Sequence, residues 1–428
     1  MRLRSNSLAL RVVAAGLVVG GGFAAVLTPG CGTSVAADAP QPAPDAASRP
    51  VSTRDPADVP VDGLSDAELA DFQEGDALFG TPLRDADGLG PVYIRTSCAA
   101  CHMGAARGPG FVTKFGVVDP SGAPVATSPL LAFGHTERPF AAGSGETPLL
   151  APTDPSVRVS RRLGPAVFAM GYLEAITDAA ILTQESMQSA GVSSVRGRAN
   201  RVTYNAAGNA DGRFHGYKAG DAVLGRFGLK ARIGTVDEFT ADAMQGDMGI
   251  TSPLRPAELP NPDGLTDDAR PGVDVAMPSL TLRANYMRAI AIPRRVEDPA
   301  GAALFARVGC ATCHVPGMAV RADYPVRAIA AGPARIYSDL LLHDMGEGLS
   351  DHLPVGVDGT ATAREWRTAP LVGLRFNRSY LHDGRALTVE AAIAAHAGEG
   401  SQGDVAGAAF AALGAGERAA LLRFVEGL

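Results

Sequence analysis

Cys98-Ala-Ala-Cys101-His102 and Cys310-Ala-Thr-Cys313-His314 are two copies of C-x-x-C-H and use four of the five cysteines. This spacing suits covalent attachment of haem. Two thiols add across the two vinyl groups, and the next residue supplies an imidazole that reaches the iron as proximal ligand. A pair of C-x-x-C sites could instead hold zinc, and a thioredoxin-like dithiol could use either one. A dithiol does not need the following His, however, and the two copies stand far apart in the chain. The pattern therefore points to two covalent haem c groups, on Cys98 and Cys101 and on Cys310 and Cys313, with His102 and His314 as iron ligands.

Six further histidines remain. His396 stands out, because Val389, Ala392, Ile393 and His396 fall at i, i+3, i+4 and i+7 on one face of a short helix that Thr388 would cap. An imidazole on an apolar face needs a partner, either a hydrogen bond or a metal. His382 and His343 sit in mixed sequence and suit contacts at a haem edge. His135, His215 and His352 lie in polar stretches and read as solvated loop residues. Glu174, in Gly171-Tyr-Leu-Glu-Ala-Ile176, is a carboxylate inside an apolar run. It is either a helix-surface residue or, facing a haem, an acid–base group of raised pKa.

These groups need elements to position them. Ser65-Asp-Ala-Glu68 is a capping box and starts a helix through Leu69, Phe72, Leu78 and Phe79 ahead of the first motif. A helix is expected over 166–182, weakened by Gly171. Pro299, then Ala302, Leu304, Phe305 and Val308, predict a helix that delivers the second motif. Leu421, Leu422, Phe424 and Val425 predict a closing helix over 417–428. Residues 190–275 are polar and Gly-rich and read as a long decorated region. The fold class that follows is mainly α, with two cytochrome c-like haem domains over 62–295 and 296–428, the first enlarged by loop-rich insertions.

Ahead of them, Arg2, Arg4 and Arg11 precede an apolar run from Val12 to Leu27, too short and Gly-broken for a membrane span. The run reads as an export signal within 1–36, consistent with haem attachment in the periplasm. Cys31 either carries a lipid anchor or leaves with the signal on cleavage after Ala36. Residues 37–61 are Ala-, Pro-, Asp- and Ser-rich and read as a disordered linker. A net charge of −7 gives no basic footprint, so nucleic acid is not an expected partner.

Arg226-Phe-Gly-Leu-Lys-Ala231, Gly246-Asp-Met-Gly-Ile-Thr251, Asp339-Leu-Leu-Leu-His-Asp-Met345 and Glu365-Trp-Arg-Thr-Ala-Pro370 resemble segments of the di-haem oxidoreductases, named as peroxidases or "thiol oxidoreductases". Arg367-Thr-Ala-Pro-Leu371, Tyr380-Leu-His-Asp-Gly384 and Thr388-Val-Glu390 are similar to motifs of the wider superfamily of bacterial di-haem cytochrome c peroxidases and the methylamine-utilisation di-haem enzyme. The resemblance implies a reactive N-terminal haem that meets peroxide or a similar oxidant. It implies a C-terminal haem that takes electrons from a small donor such as a cytochrome or cupredoxin. The superfamily's distal ligand to the second haem, Met or Tyr, stands eight residues after the Thr, where this chain has His396. That implies a bis-His haem of lowered potential, with Met345 or Met318 as alternative ligands. For the first haem, Glu174 is the candidate acid–base group, and Met170 or His215 could instead close the site. Trp366 is a candidate relay or a packed anchor. A calcium ion held partly by backbone carbonyls near Thr368 and Pro370 is also implied. Two other function classes stay open, a non-catalytic electron-transfer cytochrome and an oxidase of a protein partner.

Overall fold

The computed structural model describes residues 59–191, 193–266, 272–296 and 298–428. The expected signal, Cys31 and nearly all of the 37–61 linker lie outside them. No described helix is long and apolar enough to cross a membrane.

The described residues contain ten α-helices and four two-stranded antiparallel sheets. The helices are α1 (Asp66–Gly80), α2 (Met170–Ala175), α3 (Asp178–Ala190), α4 (Val236–Met248), α5 (Met277–Ala289), α6 (Pro299–Arg307), α7 (Arg327–Ala330), α8 (Val389–Ala394), α9 (Asp404–Ala411) and α10 (Ala415–Gly427). The sheets pair β1 (Val92–Tyr93) with β3 (Phe140–Ala141), β2 (Phe111–Val117) with β4 (Val157–Leu163), β5 (Arg201–Thr203) with β6 (Ala222–Leu224), and β7 (Leu342–Asp344) with β8 (Glu365–Arg367). The strands, and α4 and α5 in the middle of the chain, are additions to the expected helices.

Caps fix the helix starts. Ser65 and Glu68 form the expected capping box, satisfying two orphan N–H groups reciprocally. Asp298 caps α6 through the Gly301 N–H at 2.8 Å, and Thr388 caps α8 through the Ala391 N–H at 3.0 Å. The helix expected over 166–182 is two helices. Thr177 accepts from the Ala180 N–H and starts α3 afresh. Gly171 is required there for close approach, since a Cβ would stand 2.1 Å from the Arg288 carbonyl oxygen at the end of α5.

The closing helix α10 packs on α6. Gly301 makes the crossing possible, because a Cβ there would lie 2.3 Å from Phe424 Cβ. Phe305, Tyr337, Val389, Phe410, Leu421 and Phe424 form the core beneath the second motif. The largest apolar cluster draws on both halves of the chain. It joins Phe72, Phe79, Tyr172, Phe227 and Tyr286 to Met318, Ile336, Leu341 and Val372. The described residues therefore belong to one compact unit.

Candidate functional site

The four motif cysteines are free thiols. Burial, with Asp247 nearby, pushes Cys98 and Cys101 up to about 11, and burial does the same to Cys310.

The histidines divide by which ring nitrogen is occupied. His102 Nδ1 lies 2.7 Å from the Pro165 carbonyl, His314 Nδ1 lies 3.0 Å from Tyr337, and His396 Nδ1 lies 2.8 Å from Ala392. A carbonyl only accepts, so Nδ1 carries the proton in all three and Nε2 keeps its lone pair. That is the tautomer an iron ligand needs, held by the backbone bond that orients the ring. His135 makes a similar bond to Phe115 at 3.1 Å, on a polar turn. Burial lowers the pKa of His102 and His396, and pushes His314 down to about 4 with help from His396, so the rings stay neutral. Each of the three nevertheless keeps some accessible surface, as a group lining a slot does.

His314 and His396 face each other with ring centres 6.5 Å apart and planes at 53°. Two imidazoles that hold one metal from opposite sides at about 2.0–2.1 Å put their ring centres roughly 6 Å apart. The donor set therefore fits an iron between them. The aromatic neighbour of His102 is Phe79, at 6.4 Å, which cannot ligate. Five residues beyond His102, the buried Nε and Nη2 of Arg107 have no hydrogen-bond partner, and burial pushes this guanidinium down to about 10. A buried cation without a partner fits a ligand that brings carboxylates, as haem brings propionates.

Cys313, Asp339 and His343 present donor atoms within 4.8 Å of one another. The haem motif claims Cys313, so the trio forms an edge around it. His343 Nε2 donates to Asp339 Oδ2 at 3.0 Å and Nδ1 donates to Gln402 Oε1 at 2.9 Å. Burial works to lower its pKa, but the Asp339 bond overrides this and raises it well above the ordinary value. Asp339 also accepts from Gln188 at 2.8 Å. His343 thus sits beside the second motif, where a haem-edge residue was expected.

Trp366 and His382 are stacked, ring centres 3.9 Å apart and planes at 11°. Lys230 Nζ lies 3.8 Å from the same indole centre, so it must cover the other face. Burial lowers Lys230 to about 8 despite Asp351 at 3.3 Å, and pushes His382 down to about 4. Around them Arg162 pairs with Asp351 at 2.5 Å and with Asp358 at 2.7 Å. His382 offers its carbonyl to the Leu163 N–H at 2.8 Å, two residues before the proline that orients His102. No sequence signal announced Arg162, Asp351 or Asp358, and Lys230 entered only as one position of the Arg226–Ala231 segment. They lie far apart in the chain and are ordinary charged residues until the fold gathers them.

Three expectations need correction. Glu174 is neither a surface residue nor of raised pKa. It accepts from Arg288 Nε at 2.7 Å and Nη2 at 2.9 Å, from Tyr324 at 2.9 Å and from the Val236 N–H at 2.9 Å. Burial alone would raise its pKa, but the Arg288 guanidinium outweighs it and holds the carboxyl below its usual range. Both its carboxylate oxygens are engaged as acceptors, so it is a structural anion. His215 is not solvated. It is buried, with Nε2 2.8 Å from Asp237, which also faces Arg288 at 3.5 Å. The Thr368 carbonyl, implied as a calcium ligand, accepts from Ser338 Oγ at 2.7 Å and Arg367 Nη1 at 3.2 Å. A cation would meet like charge there. His352 is exposed, as expected. Met170 and Met318 are buried in the main apolar cluster.

The sequence pattern of the family described as "di-haem oxidoreductase, putative peroxidase" matches residues 136–428. No curated protein matches the chain. A solved structure of Kuenenia stuttgartiensis hydrazine synthase, pressurized with xenon, is similar at 15% identity with a TM-score of 0.37, over 95% of this chain and 100% of that one.

Proposed function

We propose, for a chain that belongs to the di-haem oxidoreductase family, that it is an exported, periplasmic peroxidase-like enzyme carrying two covalent haem c groups. Cys98 and Cys101 would hold the first haem, with His102 on its iron. Cys310 and Cys313 would hold the second, with His314 and His396 on opposite faces. When bound, haem supplies an iron centre that exchanges single electrons and, at an open sixth position, takes an oxygen ligand.

The chain's own residues assign the two sites different work. With haem bound, the facing rings of His314 and His396 would hold the second iron from both sides and leave it to conduct electrons. His102 has the non-ligating Phe79 as its aromatic neighbour, which supports the first haem as the reactive one. This asymmetry carries the reading. Electrons from a small redox protein of the cytochrome or cupredoxin class would enter at the second haem and leave at the first, where hydrogen peroxide is reduced. His343 beside Cys313, Trp366 opposite it in the β7–β8 register, and His382 stacked on Trp366 would supply a path between the two. His382 then reaches the His102 turn through Leu163.

Electron paramagnetic resonance of the ferric protein tests the assignment. One low-spin bis-His signal and one high-spin signal that changes with peroxide or cyanide are expected. Two low-spin signals indifferent to both would leave a simple electron carrier.

A further inference from the structure

With Glu174 locked in its own ion pair, the first haem lacks the carboxylate expected of it. The surroundings of Cys98 and Cys101 contain another. Asp247 stands in the last turn of α4, inside the Gly246-Asp-Met-Gly-Ile-Thr251 segment. Its carbonyl accepts the N–H groups of Ile94 at 2.7 Å and Arg95 at 3.3 Å, and the next carbonyl, of Met248, accepts Gly90 at 3.0 Å. These bonds stitch the end of α4 to the strand that enters the first haem motif. The Asp247 charge is felt by both Cys98 and Cys101.

The side chain differs from every other acid in this region. Asp242 binds Arg232, Asp358 binds Arg162, and Asp351 binds Arg162 and Lys230. Glu174 and Asp237 share Arg288. No hydrogen bond or ion pair of the described residues reaches the Asp247 carboxylate, yet it keeps some accessible surface. A desolvated carboxylate with no partner is uncommon and calls for a ligand or a function. The backbone bonds to Ile94 and Arg95 hold it beside the segment that leads into Cys98 and Cys101. We infer that Asp247 is the acid–base residue on the open face of the first haem.

The charged groups that act on it are Asp242 on its own helix, Arg232 in the loop before α4 and Lys114 on β2, while Arg95 and Arg283 act on the neighbouring cysteines. Burial first and Asp242 second raise its carboxyl to about 7, against the pull of Arg232 and Lys114. A base balanced near the working pH can both take and return a proton.

The role rests on the peroxide reading given above. Hydrogen peroxide takes two electrons and two protons and becomes two waters. Asp247 would remove the proton from the oxygen that binds and deliver it to the departing oxygen as the O–O bond breaks, so the first water leaves neutral. The two electrons come from the haems and are replaced, one at a time, by the donor protein, and the remaining oxygen takes two protons from solvent to become the second water.

The test uses the holoprotein and its D247N and D247E variants, with haem content and absorption spectrum checked first. Hydrogen cyanide must also lose its proton to bind, so its association rate reports the base without turnover. In wild type that rate should follow a group titrating near neutrality. In D247N the pH dependence should vanish, and the peroxide step should slow roughly a hundredfold or more. D247E should keep a displaced limb. D247N with wild-type cyanide and peroxide profiles overturns the inference, as does a first haem that binds no cyanide. Should D247N not mature, a D247E profile identical to wild type overturns it equally. Wild type that binds cyanide with this limb but ignores peroxide leaves Asp247 as the base and removes the peroxidase reading instead.

Discussion

His343 and Trp366 are register partners across the β7–β8 ladder, so a single strand pair joins the edge of the second haem motif to the Trp366–His382 stack. Directly opposed side chains in an antiparallel pair lie on the same face, about 4.5–5.5 Å apart at Cβ. The Trp366–His382 step of this route is a stacked ring contact, and the His343–Trp366 step is set by the strand register.

Replacing Trp366 with Phe keeps a ring but loses the Nε1 bond to the Leu349 carbonyl, at 2.7 Å, and weakens the cation contact with Lys230. Electron transfer between the haems should slow while both haem spectra stay unchanged. Stopped-flow reduction followed at the two haem wavelengths would reveal this. An unchanged rate would make Trp366 a packing anchor only.

His396→Ala should open the second iron, convert its signal to high-spin and raise its potential, with covalent attachment intact. Absorption and redox titration would register the change. A retained low-spin spectrum would move attention to Met345, whose backbone bridges to Ser401 just beyond His396.

Glu174→Ala should cost about 3–5 kcal/mol of stability, because it leaves the fully buried Arg288 guanidinium without its main partner. Thermal unfolding measures it. The carboxyl pKa is lowered in the folded state, so its stabilising share is present above its ordinary pKa and is lost as pH falls through the folded value. Peroxide kinetics of Glu174→Gln should stay close to wild type, in contrast to D247N.

Lys230 gives a slope of the same sign in a more alkaline window. Its folded pKa, about 8, lies below the model-peptide 10.5, so between these values the unfolded chain binds more protons. Stability should therefore rise with pH across that window relative to a Lys230→Met variant. Parallel unfolding curves for the two proteins at pH 8 and pH 10 would contradict the assignment.

Denatured protein should stain for haem and weigh two haem masses more than the peptide. Staining that survives loss of both cysteine pairs would remove the covalent attachment.

The motif cysteines and the capped helices at Ser65, Asp298 and Thr388 were legible in the sequence because each depends on short spacings, while the placement of His396 near His314 came from the resemblance at the eighth position after Thr388. Glu174 misled because an acid in an apolar run announces burial but not its partner. Arg288 lies 114 residues away, on a helix whose pattern is not amphipathic. Asp247 was hidden for the converse reason. What marks it is the absence of a partner, which only the assembled fold reveals. Helices α4 and α5 were missed because both are largely buried and carry polar residues that bind each other rather than water.

Tyr324 donates to Glu174, and the main apolar cluster runs from Val61 to Val372. The segments bearing the two haem motifs are thus welded through a shared interior, with no hinge line between them. The separation of the two C-x-x-C-H motifs becomes a constant of the fold, not a variable of domain motion. Any control over the traffic of electrons must then come from chemistry along the route, such as the charge on Lys230, since the geometry of the route is not free to change.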